Sequence, residues 1–208
     1  MEIIDKTKKN HTESLFRLGL QGLLGLIIVI ICVGFAVDID SNQTADSLSA
    51  DLTTLQDYNF IRAILPTAQE EEAKTGLKTS ITLAQACVES DFGQSTLASK
   101  YHNLFGIKAY GGVPQVILET QEFVNGKEIT VKSAFRTYDS WAASIEDHTA
   151  LFVNGVDWDP NHYKNILSAA TYQEAAADLQ KDGYATDPNY TQKIVDMIQT
   201  YHFDQYDK

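Results

Sequence analysis

Two runs of alternating, β-branched residues flank the dipeptide Asn125-Gly126 in the segment VPQVILETQEFVNGKEITVKSAFRTY, residues 113–138. Asn-Gly is the favoured pair for a two-residue type I′ turn, because both turn positions need positive φ. The segment therefore predicts one antiparallel hairpin, paired outward from Val124 and Lys127. This is the strongest strand signal in the chain, so we expect a single small sheet.

Helical periodicity precedes the hairpin. Apolar residues recur every three or four positions from residue 58, in a helix that Pro66 is expected to interrupt. A second helix is expected to run through Val88, with Thr79 or Ser80 as its cap.

Helical signals resume after the hairpin. They predict a helix from Asp139 or Ser140 through Phe152, one with a Thr171–Glu174 capping box that ends before Gly183, and one from Asp187-Pro188 to about Tyr201. Helices on both sides of one hairpin indicate an α+β domain over residues 58–204. A cleft between the helical lobe and the hairpin is the natural site for a long substrate.

Twenty uncharged residues, Leu18–Val37, follow a basic segment over residues 1–17. At about 1.5 Å per residue a helix of this length spans roughly 30 Å, the thickness of a bilayer core. The basic flank is expected to stay in the cytoplasm, which places the chain after Asp38 outside. We therefore predict one N-terminal transmembrane helix that anchors the protein to the cell membrane, followed by a polar linker over residues 38–57. The alternative is a signal peptide cleaved after Gly34-Phe35-Ala36, which would release the protein to the cell wall.

The charge and the histidines argue against several classes of function. The chain has 28 acidic and 16 basic residues, so we expect no nucleic-acid partner, since phosphate binding needs clustered Lys and Arg. The five histidines lack metal-ligand spacing, and we expect neither a metal nor a cofactor. His102 and His148 are expected to be hydrogen-bonded structural residues. Cys87, on an apolar helix, is expected in the core.

Glu89 ends a stretch without charged residues, Ile81–Val88. The predicted helix ends close to Glu89, and a helix C-terminus disfavours negative charge. The apolar turns before it also remove water from the carboxyl. Both effects raise the pKa of Glu89, which is the property that a general acid requires. An exposed glutamate at a helix end is the alternative interpretation.

The predicted register separates the acidic residues of the hairpin. Glu119 falls opposite Lys132, and Glu122 falls opposite Ile129 on the apolar face. A register slip of one residue would reverse this assignment. Two carboxylates, Glu89 on a helix and Glu122 on a facing hairpin, are the minimal equipment for glycoside hydrolysis.

Three stretches of the chain resemble the glucosaminidase domain of bacterial cell-wall hydrolases, glycoside hydrolase family 73. They are LAQACVESDFGQSTLASKYHNLFGIKAYGG (83–112), TQEFVNGKEITVKSAFRTYDSWAASIEDH (120–148) and GYATDPNYTQKI (183–194). They occur in order, with family-like spacing, between about Phe60 and Tyr201. The resemblance implies a lysozyme-like α+β fold and an endo-β-N-acetylglucosaminidase. Such an enzyme hydrolyses the β-1,4 bond after N-acetylglucosamine in peptidoglycan glycan strands.

The resemblance also implies roles for individual residues. Glu89 matches the catalytic acid of the family, Glu122 looks like the second acid, and Tyr184 matches a tyrosine with a functional hydroxyl. Tyr101, Asn103, Phe105 and Tyr190 are expected to bind the glycan. Packing in the core or at the cleft rim is the alternative for Phe105, Tyr184 and Tyr190.

The chain departs from the family at Asp91-Phe92, where Gly-Trp is common. A carboxylate two residues from Glu89 is expected to raise the pKa of Glu89 further, and loss of the indole to alter a sugar subsite. Two other functions stay open at this point. One is a lytic transglycosylase, which needs one acid and no hydrolytic water. The other is a non-catalytic scaffold that binds cell-wall glycan.

Overall fold

The computed structural model describes residues 41–124 and 127–208, with the side chains of residues 49–120 and 130–208. The predicted basic segment, the predicted membrane helix and the Asn125-Gly126 turn lie outside the described residues. The chain divides into two compact units, residues 1–54 and 55–208. In the first unit, residues 41–54 are helical. No helix among the described residues is long and apolar enough to cross a membrane.

The second unit is mainly helical and contains one antiparallel hairpin, as the sequence predicted. In chain order the elements are α1 (Ser41–Thr75, which begins in the first unit), α2 (Thr79–Ser90), α3 (Thr96–Tyr101), β1 (Gln115–Val124), β2 (Lys127–Arg136), α4 (Trp141–Asn154), α5 (Lys164–Ser168), α6 (Tyr172–Lys181), α7 (Tyr190–Tyr201) and a 3₁₀ turn (Phe203–Tyr206).

The hairpin has the predicted register. Val124 pairs with Lys127, Glu122 with Ile129, and Glu119 with Lys132. Exposure alternates along the strands as the two-residue period requires. Leu118 and Thr120 are half-buried, whereas Ile117 and Glu119 are exposed, so one face of the hairpin is shielded.

Helix α1 differs from the sequence prediction in two places. The predicted polar linker is helical from Ser41, in a stretch that contains neither glycine nor proline to break a helix. Pro66 lies inside the helix, although proline removes one backbone hydrogen bond. Buried side chains hold the helix to the core on both sides of Pro66, among them Ile64 and Ala68.

The helix starts after the hairpin agree with the sequence in two of three cases. Ser140 caps α4 by accepting a hydrogen bond from the amide of Ala143, and the capping box of Thr171 and Glu174 is present in α6. Helix α7 ends at Tyr201 as predicted but begins at Tyr190, two residues after Pro188. Its cap position is Asn189, because residues 187–190 form a turn in which the Tyr190 amide bonds to the Asp187 carbonyl.

Helix α2 is the centre of the core. Ile81, Leu83, Ala84, Ala86 and Cys87 are all buried, so the helix is enclosed around most of its circumference. Helix α7 and the 3₁₀ turn supply much of the packing through residues such as Ile194, Ile198 and Phe203.

Distant carboxylates cap the start of α2, in place of the predicted Thr79 or Ser80. Glu72 Oε2 accepts from the amide and the hydroxyl of Thr79, at 3.1 and 2.6 Å. The Asp207 carboxylate accepts from the amide and the hydroxyl of Ser80, both at 2.7 Å. Negative charge is favourable at a helix N-terminus. The end of the chain therefore holds the first turn of the central helix.

Replacing Asp207 with alanine is expected to lower the free energy of unfolding by about 1–3 kcal/mol, because the buried Ser80 amide loses its acceptor. Urea denaturation measures the change. Asp204→Ala, in an exposed residue of the 3₁₀ turn, is the matched control and is expected to stay within about 0.5 kcal/mol of wild type. Equal stabilities for the two variants would contradict the capping role of Asp207.

Candidate active site

A cleft of about 710 Å³ opens at the C-terminal end of α2. This volume lies within the range of sites that take small molecules and sugars. Its walls come from α2, the loop before β1, the end of β2, α4, the segment before α5, the loop over residues 184–189 and helix α7. The polar side chains that line it are Glu89, Lys108, Tyr110, Arg136, Tyr163, Tyr184, Thr186, Asp187, Tyr190 and Lys193.

Glu89 lies in the last turn of α2 and reaches this cleft. Glu89 is exposed to solvent in this cleft, although the surrounding protein removes part of the water around its carboxyl. This desolvation raises the pKa of Glu89 above its ordinary value, although a hydrogen bond from Tyr190 and the charge of Lys193 lower it in part. The predicted direction of the pKa shift is confirmed. Asp91 is not among the groups that shift it, so the expectation for that carboxylate is wrong.

Three consecutive residues after α2 have left-handed backbone conformations: Asp91, Phe92 and Gly93, with φ of 52°, 50° and 77°. This conformation costs a non-glycine residue about 1–2 kcal/mol. At Gly93 a Cβ atom would lie 2.6 Å from the Phe60 ring, so glycine is required there. A left-handed turn therefore follows the end of α2 at Ser90.

The side chain of Phe92 does not line the Glu89 cleft. Its ring contacts Phe60 and Tyr201, with ring centres 6.4 and 5.3 Å apart. Phe92 instead lines a separate pocket of about 530 Å³, together with Trp141. The departure from the family at position 92 therefore lies outside the wall of this cleft, and its effect on a sugar subsite stays a prediction.

Tyr190 makes the direct contact with Glu89. Its hydroxyl donates a hydrogen bond to Glu89 Oε1 at 2.8 Å and accepts one from Gln85 Nε2 at 3.1 Å. The Tyr190 side chain is only 4% exposed. The sequence predicted this residue as a glycan contact, and the structure makes it a partner of the carboxyl.

Tyr184 lines the same cleft. Its ring stacks on Phe152 and Tyr190, with ring centres 5.6 and 5.9 Å apart. Burial and the nearby charge of Glu89 raise the pKa of Tyr184 well above its ordinary value, so its hydroxyl stays protonated. Within the described residues this hydroxyl has no hydrogen-bond partner, which leaves it available to a ligand.

Phe105 also lines the cleft, whereas Tyr101 and Asn103 do not. Asn103 is buried, and its Oδ1 accepts hydrogen bonds from the amides of Phe105 and Ile107. Its Nδ2 donates to the carbonyls of Ile107 and Arg136. Asn103 thus fixes the loop that presents Phe105, in place of the predicted contact with glycan.

Tyr101 ends α3, and its carbonyl accepts a hydrogen bond from the Tyr138 amide. His102 Nδ1 bonds to the Tyr138 carbonyl at 2.9 Å, which confirms the structural role predicted for that histidine.

His148 is packed behind Phe105, with the two rings stacked at 3.7 Å between centres. Burial lowers the pKa of His148 to about 3, so the ring is neutral. Neither ring nitrogen has a hydrogen-bond partner in the described part of the chain, and the predicted hydrogen bond of His148 is wrong. The described residues contain no group of three or more His, Cys, Asp or Glu side chains that could hold a metal ion.

Glu122 is placed by its backbone alone, because the side chains of residues 121–129 lie outside the described part of the structure. It pairs with Ile129, two positions along β1 from Thr120. Thr120 belongs to the shielded face of the hairpin.

Three cationic residues of the cleft were not predicted from the sequence. Lys193 pairs with Asp187 at 2.5 Å. Arg136 bonds both carboxylate oxygens of Asp147, at 2.9 and 2.7 Å, and Lys108 lies over the Phe135 ring at 4.4 Å. Lys193 is one helical turn after Tyr190, a spacing that could have identified it. The other two reach the cleft through tertiary packing.

Comparison with known proteins shows that this chain is similar to glucosaminidases and peptidoglycan hydrolases. The Glucosaminidase family model, described as mannosyl-glycoprotein endo-beta-N-acetylglucosaminidase, matches residues 65–203. Exo-glucosaminidase LytG of Bacillus subtilis is 44% identical over 149 residues, which are 72% of this chain and 53% of LytG. Peptidoglycan hydrolase FlgJ of Salmonella typhimurium is 34% identical over 163 residues, which are 76% of this chain and 50% of FlgJ.

A solved structure gives the same result. The catalytic domain of the autolysin Auto from Listeria monocytogenes has a TM-score of 0.69 and 34% identity, over 81% of this chain and 98% of that domain. The chain spans about half the length of LytG and FlgJ and nearly all of the Auto catalytic domain. This chain belongs to the glucosaminidase family.

Proposed function

We propose that the protein is a peptidoglycan hydrolase that cleaves the β-1,4 bond after N-acetylglucosamine in cell-wall glycan strands. The observation that carries this proposal is the Glu89 carboxyl, which faces a substrate-sized cleft and has a raised pKa. The names of LytG and FlgJ, an exo-glucosaminidase and a peptidoglycan hydrolase, support the choice of bond and substrate.

In the proposed reaction Glu89 is protonated when the glycan binds. It donates its proton to the glycosidic oxygen as the bond to the anomeric carbon breaks, and so prevents charge from building up on the leaving group. Partial desolvation of the carboxyl raises its pKa and so favours this acid form. The protonated Tyr184 hydroxyl is a donor to the sugar, and Phe105 is an apolar surface for a sugar ring.

The attacking water needs a second group. Position 122 continues the shielded face of β1, so Glu122 is our candidate for the base. The alternative is the N-acetyl group of the substrate, which can attack the anomeric carbon of its own sugar before water does. A carboxyl separation of about 6.5–9.5 Å accommodates a water molecule, whereas about 5–5.5 Å suits direct nucleophilic attack.

The charges of the cleft also suit peptidoglycan. Lys108, Arg136 and Lys193 line a cleft in a chain whose formal net charge is −12. Muramic acid and its peptide stems carry carboxylates, and the cations offset repulsion between these groups and an acidic protein.

Digestion of purified peptidoglycan, followed by mass spectrometry, tests the proposed function. We expect products with a reducing N-acetylglucosamine end. Glu89→Gln keeps the shape of the side chain but cannot donate the proton, so its turnover is expected to fall at least ~100-fold with glycan binding retained. Anhydro-muramic ends would indicate a lytic transglycosylase, and binding without cleavage a scaffold; either result would overturn the proposal.

The size of early products tests the mode of action. The family description specifies an endo-enzyme, whereas LytG is named an exo-glucosaminidase. We propose endo cleavage, which produces long intermediates early in the digestion. Release of only small end fragments would assign the exo mode.

The two hairpin glutamates provide a matched pair for testing the second acid. Glu122→Gln is expected to reduce turnover substantially, and Glu119→Gln to change it little, because only position 122 continues the shielded face. If the N-acetyl group carries the attack, the Glu122→Gln defect is expected to be partial. If Glu119→Gln were inactive and Glu122→Gln active, Glu119 would be the second acid in place of Glu122.

We also propose that residues 18–37 anchor the protein to the cell membrane, with the domain outside. The support is the uncharged run behind a basic flank. The full chain is expected to sediment with membranes, resist carbonate extraction and keep its own N-terminus. A variant lacking residues 1–37 serves as the soluble control. A mature form that begins at Val37 would show signal-peptide cleavage and overturn the anchor.

A further inference from the structure

Gln85 belongs to a buried hydrogen-bond chain that ends on Glu89. It lies on α2, four residues before Glu89, so both side chains occupy the same side of the helix. Gln85 Nε2 donates to the Tyr190 hydroxyl at 3.1 Å, and that hydroxyl donates to Glu89 Oε1 at 2.8 Å. Gln85 is completely buried and does not line the cleft.

The chemistry of the three groups sets the direction of the chain. An amide nitrogen carries two protons and cannot accept a hydrogen bond, whereas a phenol carries a single proton. Because Nε2 already donates to the Tyr190 oxygen, the only proton of that hydroxyl points to Glu89. Glu89 Oε1 is then an acceptor, and the acid proton of Glu89 resides on Oε2.

We propose that Gln85 is a positioning residue, which directs the Tyr190 hydroxyl toward Glu89 Oε1 and thereby leaves Oε2 as the oxygen that donates the catalytic proton. This inference rests on the proposed role of Glu89 as the general acid. Gln85 acts only through Tyr190 and touches neither the substrate nor the reacting atoms.

A second observation distinguishes this role from simple packing. Gln85 Oε1 is buried and has no hydrogen-bond partner within the described residues. Burying an unpaired acceptor destabilises a fold, so an apolar residue would serve packing alone better. The reversed amide would bring Oε1 to the Tyr190 hydroxyl, and this oxygen would compete with Glu89 for the only phenol proton. The direction of the amide therefore matters to the acid.

The test compares Gln85→Met, Tyr190→Phe and the double variant in glycan cleavage across pH. The bond from Tyr190 lowers the pKa of Glu89, so its loss raises that pKa. A general acid is active in its protonated form, and activity falls as pH rises through its pKa. The basic limb of the pH profile of kcat is therefore expected to move to higher pH in Tyr190→Phe. In Gln85→Met we expect a smaller shift in the same direction. The kcat of Gln85→Met at the optimum is expected to fall on the order of tenfold, with KM nearly unchanged.

The double variant gives the sharpest result. If Gln85 acts through Tyr190, adding Gln85→Met to Tyr190→Phe changes neither kcat nor the basic limb further. Thr82→Val is the matched control, because Thr82 is also buried on α2 with an unpaired side-chain oxygen. We expect its pH profile to match that of wild type.

The proposal would be overturned if the basic limb of the kcat profile did not move in Gln85→Met. It would also be overturned if the reductions in kcat of the two single variants multiplied in the double variant. In either case, cleavage by the wild type would still support the proposed function. Failure of wild type to release reducing N-acetylglucosamine ends would overturn both. Gln85→Asn withdraws the amide from Tyr190 by one methylene and keeps a polar group. It supplies the same comparison if circular dichroism shows that Gln85→Met does not fold.

Discussion

The burial of helix α2 is the constraint on which the candidate site depends. Its side chains pack into the core around most of the helix, and Glu72 and Asp207 hold its first turn through Thr79 and Ser80. Movement of the helix would require many buried contacts to change together. Glu89 extends from the last turn of this fixed helix into the cleft.

The acidity of Glu89 reflects opposing effects. Desolvation raises the pKa of the carboxyl, while the Tyr190 hydrogen bond and the Lys193 charge lower it. The balance keeps the carboxyl more basic than a glutamate in water without removing it from solvent. Because folding raises this pKa, the contribution of Glu89 to stability is present at low pH and is lost as pH rises through the folded pKa. Near neutral pH, the Glu89 carboxyl therefore stabilises the fold less than it does at low pH, and the same raised pKa allows it to donate a proton.

The parts of the fold that could be predicted from sequence are those that local chemistry determines. The Asn-Gly pair and the alternating strands were enough for the register that separates Glu119 from Glu122. The capping box of α6 depends on two residues three positions apart. Glu89 was identifiable because its apolar neighbours precede it directly in the chain.

The parts that could not be predicted depend on residues far apart in sequence. Asp207 caps α2 through Ser80, which lies 127 residues earlier, and no local pattern indicates this contact. Asn103 resembled a sugar-binding residue, but its amide nitrogen donates to the carbonyls of Ile107 and of Arg136 at the end of β2. Likewise, the partnership of Gln85 with Tyr190 requires α2 and α7 to be packed together.

Titration of the Glu89 carboxyl carbon by ¹³C NMR tests whether this group can act as the general acid. The protein is labelled at glutamate, and the Glu89 signal is identified by its absence in Glu89→Gln. We expect a midpoint above the ordinary pKa of glutamate. It should move higher still in Tyr190→Phe, because that variant lacks the hydrogen bond that favours the carboxylate. A midpoint at or below the ordinary pKa of glutamate would contradict the role of Glu89 as general acid, since the carboxyl would then be ionised where the proposed reaction needs its proton.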